Sequence, residues 1–264
     1  MPLLLLLVII VLALATSVAF LARAWLPALA ATHTVGFDPQ LHLTLAIFGV
    51  AFLVAQFALA IFIWRFREGR GRASVHGGRA QGWFALEIAA ILFTGSVFLG
   101  LGIKGGALAA AASKIPNANA LQIEVTGMQF QWYYRYPGDD GKLGAVKPEL
   151  ADASIGNPLG LDPSDSAGED DIIAPQLVVP VHRPVELTLK SLDVVHSFFV
   201  PSMRLQMNAV PGLTTHVNFT PEKTGVYEVV CNQLCGLGHY RMHGSILVLA
   251  PEEFEQWMQQ HERK

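Results

Sequence analysis

The chain has 264 residues, of which 52% are hydrophobic and only 15% charged, with a mean hydropathy of +0.40 and a formal net charge of −3. That is too apolar for an ordinary soluble domain and too polar for a chain embedded in a bilayer throughout, so both kinds of region are expected. The charge balance gives no reason to expect nucleic acid among the partners.

Three apolar runs come first. Pro2 to Trp25 is almost unbroken Leu, Ile, Val and Ala; Leu43 to Trp64 has Gln56 as its one strongly polar member; Gly82 to Ile103 carries Glu87 as its only charge. Crossing a hydrocarbon core of roughly 30 Å takes about 20 apolar residues in a helix. The second and third runs are therefore predicted spans, forming a helical hairpin over residues 41–104. The first run predicts an extra transmembrane helix within residues 1–30. The alternative for that segment is a signal peptide, because Ala28 to Ala30 has the small-residue character of a cleavage site, although no basic stretch precedes the apolar run.

The loop "RFREGRGRASVHGGR" holds Arg65, Arg67, Arg70, Arg72 and Arg79 against a lone Glu68. The excess of arginine predicts a cytoplasmic loop, which leaves the chain beyond Ile103 on the outer side. The predicted location is thus a bacterial inner membrane, crossed several times, with lipid around the helices. Glu87 lies about a turn and a half inside the third run. A carboxylate there is costly unless it faces protein or water, or snorkels to the headgroups.

Residues 118–250 read as an all-β exported domain. "LQIEVTG", "QLVVPV", "PVELTLKS", "VVHSFFVP", "THVNFTP", "GVYEVVC" and "GSILVLA" are short runs rich in Val, Ile, Thr and Phe, separated by Pro and Gly. "GMQFQWYYRYPG" adds alternating aromatics, Phe130, Trp132, Tyr133, Tyr134 and Tyr136, along another predicted strand, where core and edge packing is the plain role for each ring. An insertion over residues 137–173 carries nine acidic residues and two lysines amid Gly, Pro and Ser, and is expected to be a surface loop. Residues 251–264 predict a short C-terminal helix, with Pro251 and two glutamates at its start. The fold class is therefore membrane-anchored α + β, with N-terminal transmembrane helices followed by an all-β sandwich.

Both cysteines of the chain sit in "CNQLCGLGHYRM", Cys231 to Met242, between two predicted strands. In an oxidising compartment a disulfide is one reading, although a bridge over three intervening residues closes so small a loop that its entropic gain is slight. The other reading is metal. Thiolate, imidazole and thioether form a soft donor set suited to copper, and "DVVHSFFVP" supplies a second histidine, His196. A mononuclear blue copper site uses one thiolate. Two thiolates four residues apart, with one histidine for each metal, favour a dinuclear centre.

The ordered set His196, Cys231, Gln233, Cys235, His239 and Met242 resembles the CuA motif of cytochrome c oxidase subunit II, and "HSFFVP" and "NAVPG" are similar to that family's neighbouring text. The resemblance covers most of the chain, since a helical hairpin followed by an exported cupredoxin domain is also the family's layout. It implies a cupredoxin-like sandwich in which Cys231 and Cys235 bridge two copper ions, His196 and His239 bind one each, Met242 is a weak axial ligand and the Gln233 carbonyl serves the other copper. It also implies an oxidoreductase and translocase subunit that takes electrons from cytochrome c and passes them to a haem in the catalytic subunit I. That subunit, which has other oxidase subunits beside it, reduces O2 to water and translocates protons.

Alternatives from the sequence are the CuA subunit of a haem-copper nitric oxide reductase and a membrane-tethered copper chaperone. Departures from the family pattern also matter. Gln233 stands where the family has a glutamate that helps hold magnesium, and Asn208 where aspartate is common, so magnesium is not expected here. Phe130 occupies the place of the tryptophan through which electrons arrive, with Trp132 two residues on, and both rings are candidates for that role. Glu87, in an "LEIA" context similar to the family's, is a candidate for proton uptake. His243 is expected to lie outside the ligand set.

Overall fold

The computed structural model describes residues 2–21, 26–32, 36–65, 81–112 and 119–261. Arg67, Arg70, Arg72 and Arg79, on which the cytoplasmic assignment of the loop rests, lie outside the described residues. The chain divides into a helical unit, residues 1–26 with 36–109, and a second unit, residues 27–35 with 110–264.

In the helical unit, α1 (Pro2–Leu21) packs on α2 (Phe37–Arg65), and Gln40 of α2 donates to the Leu101 carbonyl of α3 (Gln81–Ala112). Two of these helices are long and apolar enough to cross a membrane by length and composition. Apolar side chains such as Phe48, Phe52, Ile91 and Phe98 point outward from them, the distribution of a helix whose solvent is lipid. Both helices outrun the apolar cores read from sequence. In α2, Asp38 in the first turn and Arg65 in the last complement the helix dipole; in α3 the alanines after Gly106 keep the helix going to Ala112.

The second unit is a β-sandwich. Its strands are β1 (Leu121–Met128), β2 (Gln131–Tyr136), β3 (Ile172–Ala174), β4 (Leu177–Pro180), β5 (Val185–Ser191), β6 (His196–Val200), β7 (Leu205–Ala209), β8 (Thr215–Phe219), β9 (Gly225–Cys231) and β10 (His243–Leu249). One sheet runs β3-β2-β1-β5-β8 and the other β4-β10-β9-β6-β7. The β1–β5 and β4–β10 pairs are parallel, and the other pairs are antiparallel. Alternation does the sorting: in β5, Val185, Leu187 and Leu189 are buried while Glu186, Thr188 and Lys190 are partly exposed. The two inner faces meet through Trp132, Tyr134 and Ile123 on one side and Phe198, Val229 and Ile246 on the other. Trp132 packs edge-on against Phe198 with ring centroids 5.3 Å apart. A C-terminal helix, α4 (Pro251–His261), buries Phe254 and lays Trp257 against Tyr136.

Two expectations change. The excursion after β2 is not a plain loop: it contains three 3-10 turns, Pro148–Leu150, Ala153–Ile155 and Ser166–Gly168, the last two capped by the carboxylates of Asp152 and Asp165. It also ends at residue 171, because Ile172 and Ile173 enter β3, where Tyr136 faces Ile172 across the ladder. Both of its ends are held by one buried cation. Arg135 donates to the Gly144 carbonyl and to Asp171 at 2.7 and 2.8 Å, and to Glu124 at 2.7 Å, with Lys190 on the other Glu124 oxygen.

The second change concerns the N-terminal segment. Residues 27–32 belong to the sandwich unit rather than to a helix ending near residue 30. Ala30 and Ala31 are buried, the Ala30 N–H donates to Ser202 O, Glu222 N–H donates to Ala30 O, and Ala31 forms a bridge with Pro221. Pro27 and the small alanines let the backbone lie close against the domain and pair with it.

Candidate metal centre

Sheet register brings the six predicted donors to one end of the sandwich. β6 and β9 pair with Phe198 opposite Cys231, so His196, two residues earlier, lies just past the end of β9, where the 231–242 loop turns over it. The loop is tied down at both ends: Cys231 N–H donates to Met242 O at 3.1 Å and Asn232 N–H to Ser197 O at 2.9 Å. Inside it, a 3-10 turn at His239–Arg241 brings His239 and Met242 back beneath the loop.

The donors converge. Cys231 Sγ is 3.9 Å from Cys235 Sγ and 4.0 Å from His196 Nδ1. Cys235 Sγ is 3.6 Å from His239 Nδ1 and 3.8 Å from Met242 Sδ. The Cys231 thiol donates to the Gln233 carbonyl at 3.2 Å, so that oxygen faces inward while the side-chain amide is exposed. Both cysteines are free, which sets the disulfide reading aside.

A metal bonds sulfur at about 2.3 Å and imidazole nitrogen at about 2.0–2.1 Å, so donors up to about 4.4–4.6 Å apart can share one ion. Each of these separations is below that limit. The set is soft, with His196, Cys231, Cys235 and Met242 buried and His239 partly so, and it fits copper.

His196 is fully buried and bound on its far side by Asp193, whose Oδ1 lies 2.8 Å from Nε2. A carboxylate there fixes the tautomer and leaves Nδ1 free to bind metal. Burial opposes charge on this imidazole, but its hydrogen bonds to Cys231 and Asp193 outweigh that and hold it above its usual range. The two thiols diverge in the same way. Burial raises Cys231, yet hydrogen bonds from His196 and the Ser197 and Gln233 backbone bring it down to about 6; burial and the neighbouring Cys231 charge push Cys235 up to about 11.

The aromatic candidates separate. Trp132 is 1% exposed and packs edge-on to His196 at 5.8 Å, whereas Phe130 is 36% exposed and lies against the loop glycines. Of the two, Phe130 is the ring that a docking protein can reach. His243 turns to the Tyr240 carbonyl and Glu228, away from the donors. Glu87 lies in α3 with its side chain exposed. Asp193 was not singled out from sequence; its signal is the spacing Asp-x-x-His, which puts a carboxylate behind a histidine at a strand start.

The sequence has relatives among known proteins. Residues 121–249 match the family described as cytochrome C oxidase subunit II, periplasmic domain. The chain is 31% identical over 245 residues to the alternative cytochrome c oxidase subunit 2 of Bradyrhizobium diazoefficiens, covering 89% of this chain and 83% of that one. It is 26% identical over 215 residues to cytochrome c oxidase subunit 2 of Cereibacter sphaeroides, covering 75% and 67% respectively. The crystal structure of the periplasmic domain of subunit II of cytochrome oxidase (CoxB) of Bradyrhizobium japonicum aligns with 56% of this chain and 96% of that one, at 30% identity and a TM-score of 0.42.

Proposed function

Given that this chain belongs to the cytochrome c oxidase subunit II family, a membrane-anchored component of an oxidoreductase complex with a periplasmic domain, we propose that its exported sandwich receives electrons from cytochrome c and hands them to a haem in the catalytic subunit I. The observation that carries this reading is that two cysteine sulfurs lie side by side, with an imidazole against each, a thioether against Cys235 and a carbonyl against Cys231. Two copper ions bound there supply a one-electron carrier whose charge is shared over both metals.

The chain's own residues do the rest. Cys231 and Cys235 are spaced to bridge, and His196 and His239 each approach a different thiol. Met242, beside Cys235, and the Gln233 carbonyl, beside Cys231, would complete the set that holds the metal. The loop's anchoring to β6 and β10 keeps the donors in place, so that little rearrangement accompanies a change of charge. Gln233 acts through its backbone, and no magnesium site is proposed at its amide. Phe130 is the proposed point of electron arrival, with Trp132 supporting His196 from inside.

Two further parts belong to the same reading. The acidic excursion after β2, with nine carboxylates against two lysines, draws in a cationic cytochrome c and raises its on-rate in a salt-dependent way. Glu87, on the helix that follows the arginine-rich loop, is proposed to feed protons toward the catalytic subunit; unchanged turnover and pumping in a Glu87→Gln enzyme would end that part. The hydrogen bonds of residues 27–32 to the sandwich support an outer-side connection between α1 and α2, and hence an arginine-rich loop on the cytoplasmic side.

Electron paramagnetic resonance of the copper-loaded full chain tests the centre. Hyperfine structure from one electron shared equally by two copper nuclei is expected. The pattern of a single copper nucleus, or no bound copper, overturns the reading.

A further inference from the structure

The turn between β1 and β2, Gln129 and Phe130, grips the copper loop at points the ligand set does not require. The Gln129 backbone N–H donates to Asp193 Oδ2 at 2.7 Å, and the other oxygen of that carboxylate holds His196. The Gln129 side-chain amide donates to the Cys235 carbonyl. On the loop, two glycines make room for this turn. A Cβ at Gly236, whose φ is +134°, would stand 2.7 Å from Gln129 Nε2, and one at Gly238 would stand 2.4 Å from the Phe130 ring. Only residues without a side chain allow so close an approach. The "CGLG" stretch thus carries two notches, one filled by Gln129 and the other by Phe130.

Gln129 is therefore bonded to two ligand-bearing segments that are remote in sequence: to Cys235 directly, and to His196 through Asp193. We propose that Gln129 is a positioning residue for the copper centre, fastening a thiolate ligand and an imidazole ligand to the same hairpin turn. The proposal rests on the copper reading above. Its physical content is that the side-chain amide keeps the Cys235 peptide from turning, which in turn fixes where Sγ points. Gln129 is exposed and lies outside the buried core cluster, so its amide contributes to the geometry of the site rather than to the core of the sandwich.

The test uses the full-length chain, loaded with copper, as wild type, Gln129→Leu and Gln129→Glu. Leucine removes the donor while keeping the backbone N–H to Asp193; glutamate keeps the shape and sets an acceptor against the Cys235 carbonyl. Gln131→Leu, also exposed on the same hairpin, is the control. Three quantities are read: the copper hyperfine coupling, the reduction potential, and the rate at which a copper(I) chelator strips the reduced protein.

With one hydrogen bond lost, both Gln129 variants are expected to release copper about three- to tenfold faster. Their hyperfine coupling and potential are expected to shift, while Gln131→Leu matches wild type. The unfolding midpoint of the copper-free chain should stay where it is in all four proteins. Gln129 variants that match wild type in coupling, potential and release overturn the proposal and leave the copper reading standing. A Gln129 variant that fails to fold, or whose copper-free midpoint falls in step with its copper retention, makes Gln129 a stability residue and also overturns it. Wild-type protein that takes up no copper overturns both.

Discussion

Replacing Arg135 by methionine keeps the length of the side chain and deletes its charge from a buried cluster. Arg135 is 2% exposed, Glu124 3% and Asp171 0%, and the guanidinium bonds both carboxylates and the Gly144 carbonyl. After the substitution Glu124 still has Lys190 at 2.6 Å, whereas Asp171 keeps only the Gly144 N–H at 3.0 Å. Leaving one carboxylate buried without a cation costs about 3–5 kcal/mol. For a unit of this size each kcal/mol moves the midpoint by about 2–4 °C, so a fall of roughly 10 °C is expected.

The deficit depends on pH with a definite sign. Burial already raises the Asp171 carboxyl above its ordinary value, with the Gly144 N–H and Arg135 pulling the other way. Without Arg135 it rises further. A carboxyl whose folded pKa exceeds its unfolded value costs stability when ionised, and the cost fades as pH falls through the folded pKa. The gap between variant and wild type should therefore narrow as the pH is lowered from 7. Near-ultraviolet circular dichroism of the buried Trp132, Tyr134 and Tyr136 in the detergent-solubilised chain, at one fixed copper state, measures it. A midpoint within about 2 °C of wild type at pH 7 would refute the reasoning, as would a gap that widens toward acid.

Four other outcomes are expected. In the reduced, copper-free chain at pH 7.5, alkylation should fall first on Cys231, whose thiol is lowered to about 6, and not on Cys235, raised to about 11; equal labelling by peptide mapping would contradict the assignment. Asp193→Ala removes the partner of His196 Nε2 and should lower copper affinity about 10–100-fold in a chelator competition, with undiminished affinity counting against an orienting role. Gly238→Ala drives a methyl group to 2.4 Å from Phe130 and should cost about 1–3 kcal/mol in unfolding, a penalty that shrinks in a Phe130→Ala background; equal penalties in both backgrounds would show that the ring is not the obstacle. Oxidation of cytochrome c by the assembled complex should slow as ionic strength rises, and a salt-independent rate would discard electrostatic steering.

Apolar runs and alternating strands carry the fold openly in the sequence, because burial imposes periods that a reader can count. The strands that escape are the ones with little of that pattern. β3 has three residues, and β7 places Gln206 and Asn208 on its exposed face, so neither shows a hydrophobic run of readable length. The candidate donors are legible because their chemistry is rare and their spacing tight. What holds the set is not, since Asp193, Gln129 and the glycines at 236 and 238 are ordinary residues whose roles depend on contacts across the sandwich end. The N-terminal alanines show the same limit: as text they look cleavable, and only pairing with Pro221 and Ser202 reveals them as part of the domain.

The ladder between β2 and β3 sets Tyr136 and Ile172 face to face, so the acidic excursion leaves the sandwich and returns to it at neighbouring points. A graft that kept Arg135, Gly144 and Asp171 could lengthen, shorten or recharge the rest at a loop-closure cost that grows only with the logarithm of its length. Those three residues sit on or beside one sheet, and the candidate donors on β6, at the end of β9 and in the loop that follows β9 in the other. On the proposed reading, the electrostatic steering of a donor and the ligands of the centre are thus written in separate parts of the chain. Recharging the excursion would then leave the candidate donors of the loop in place.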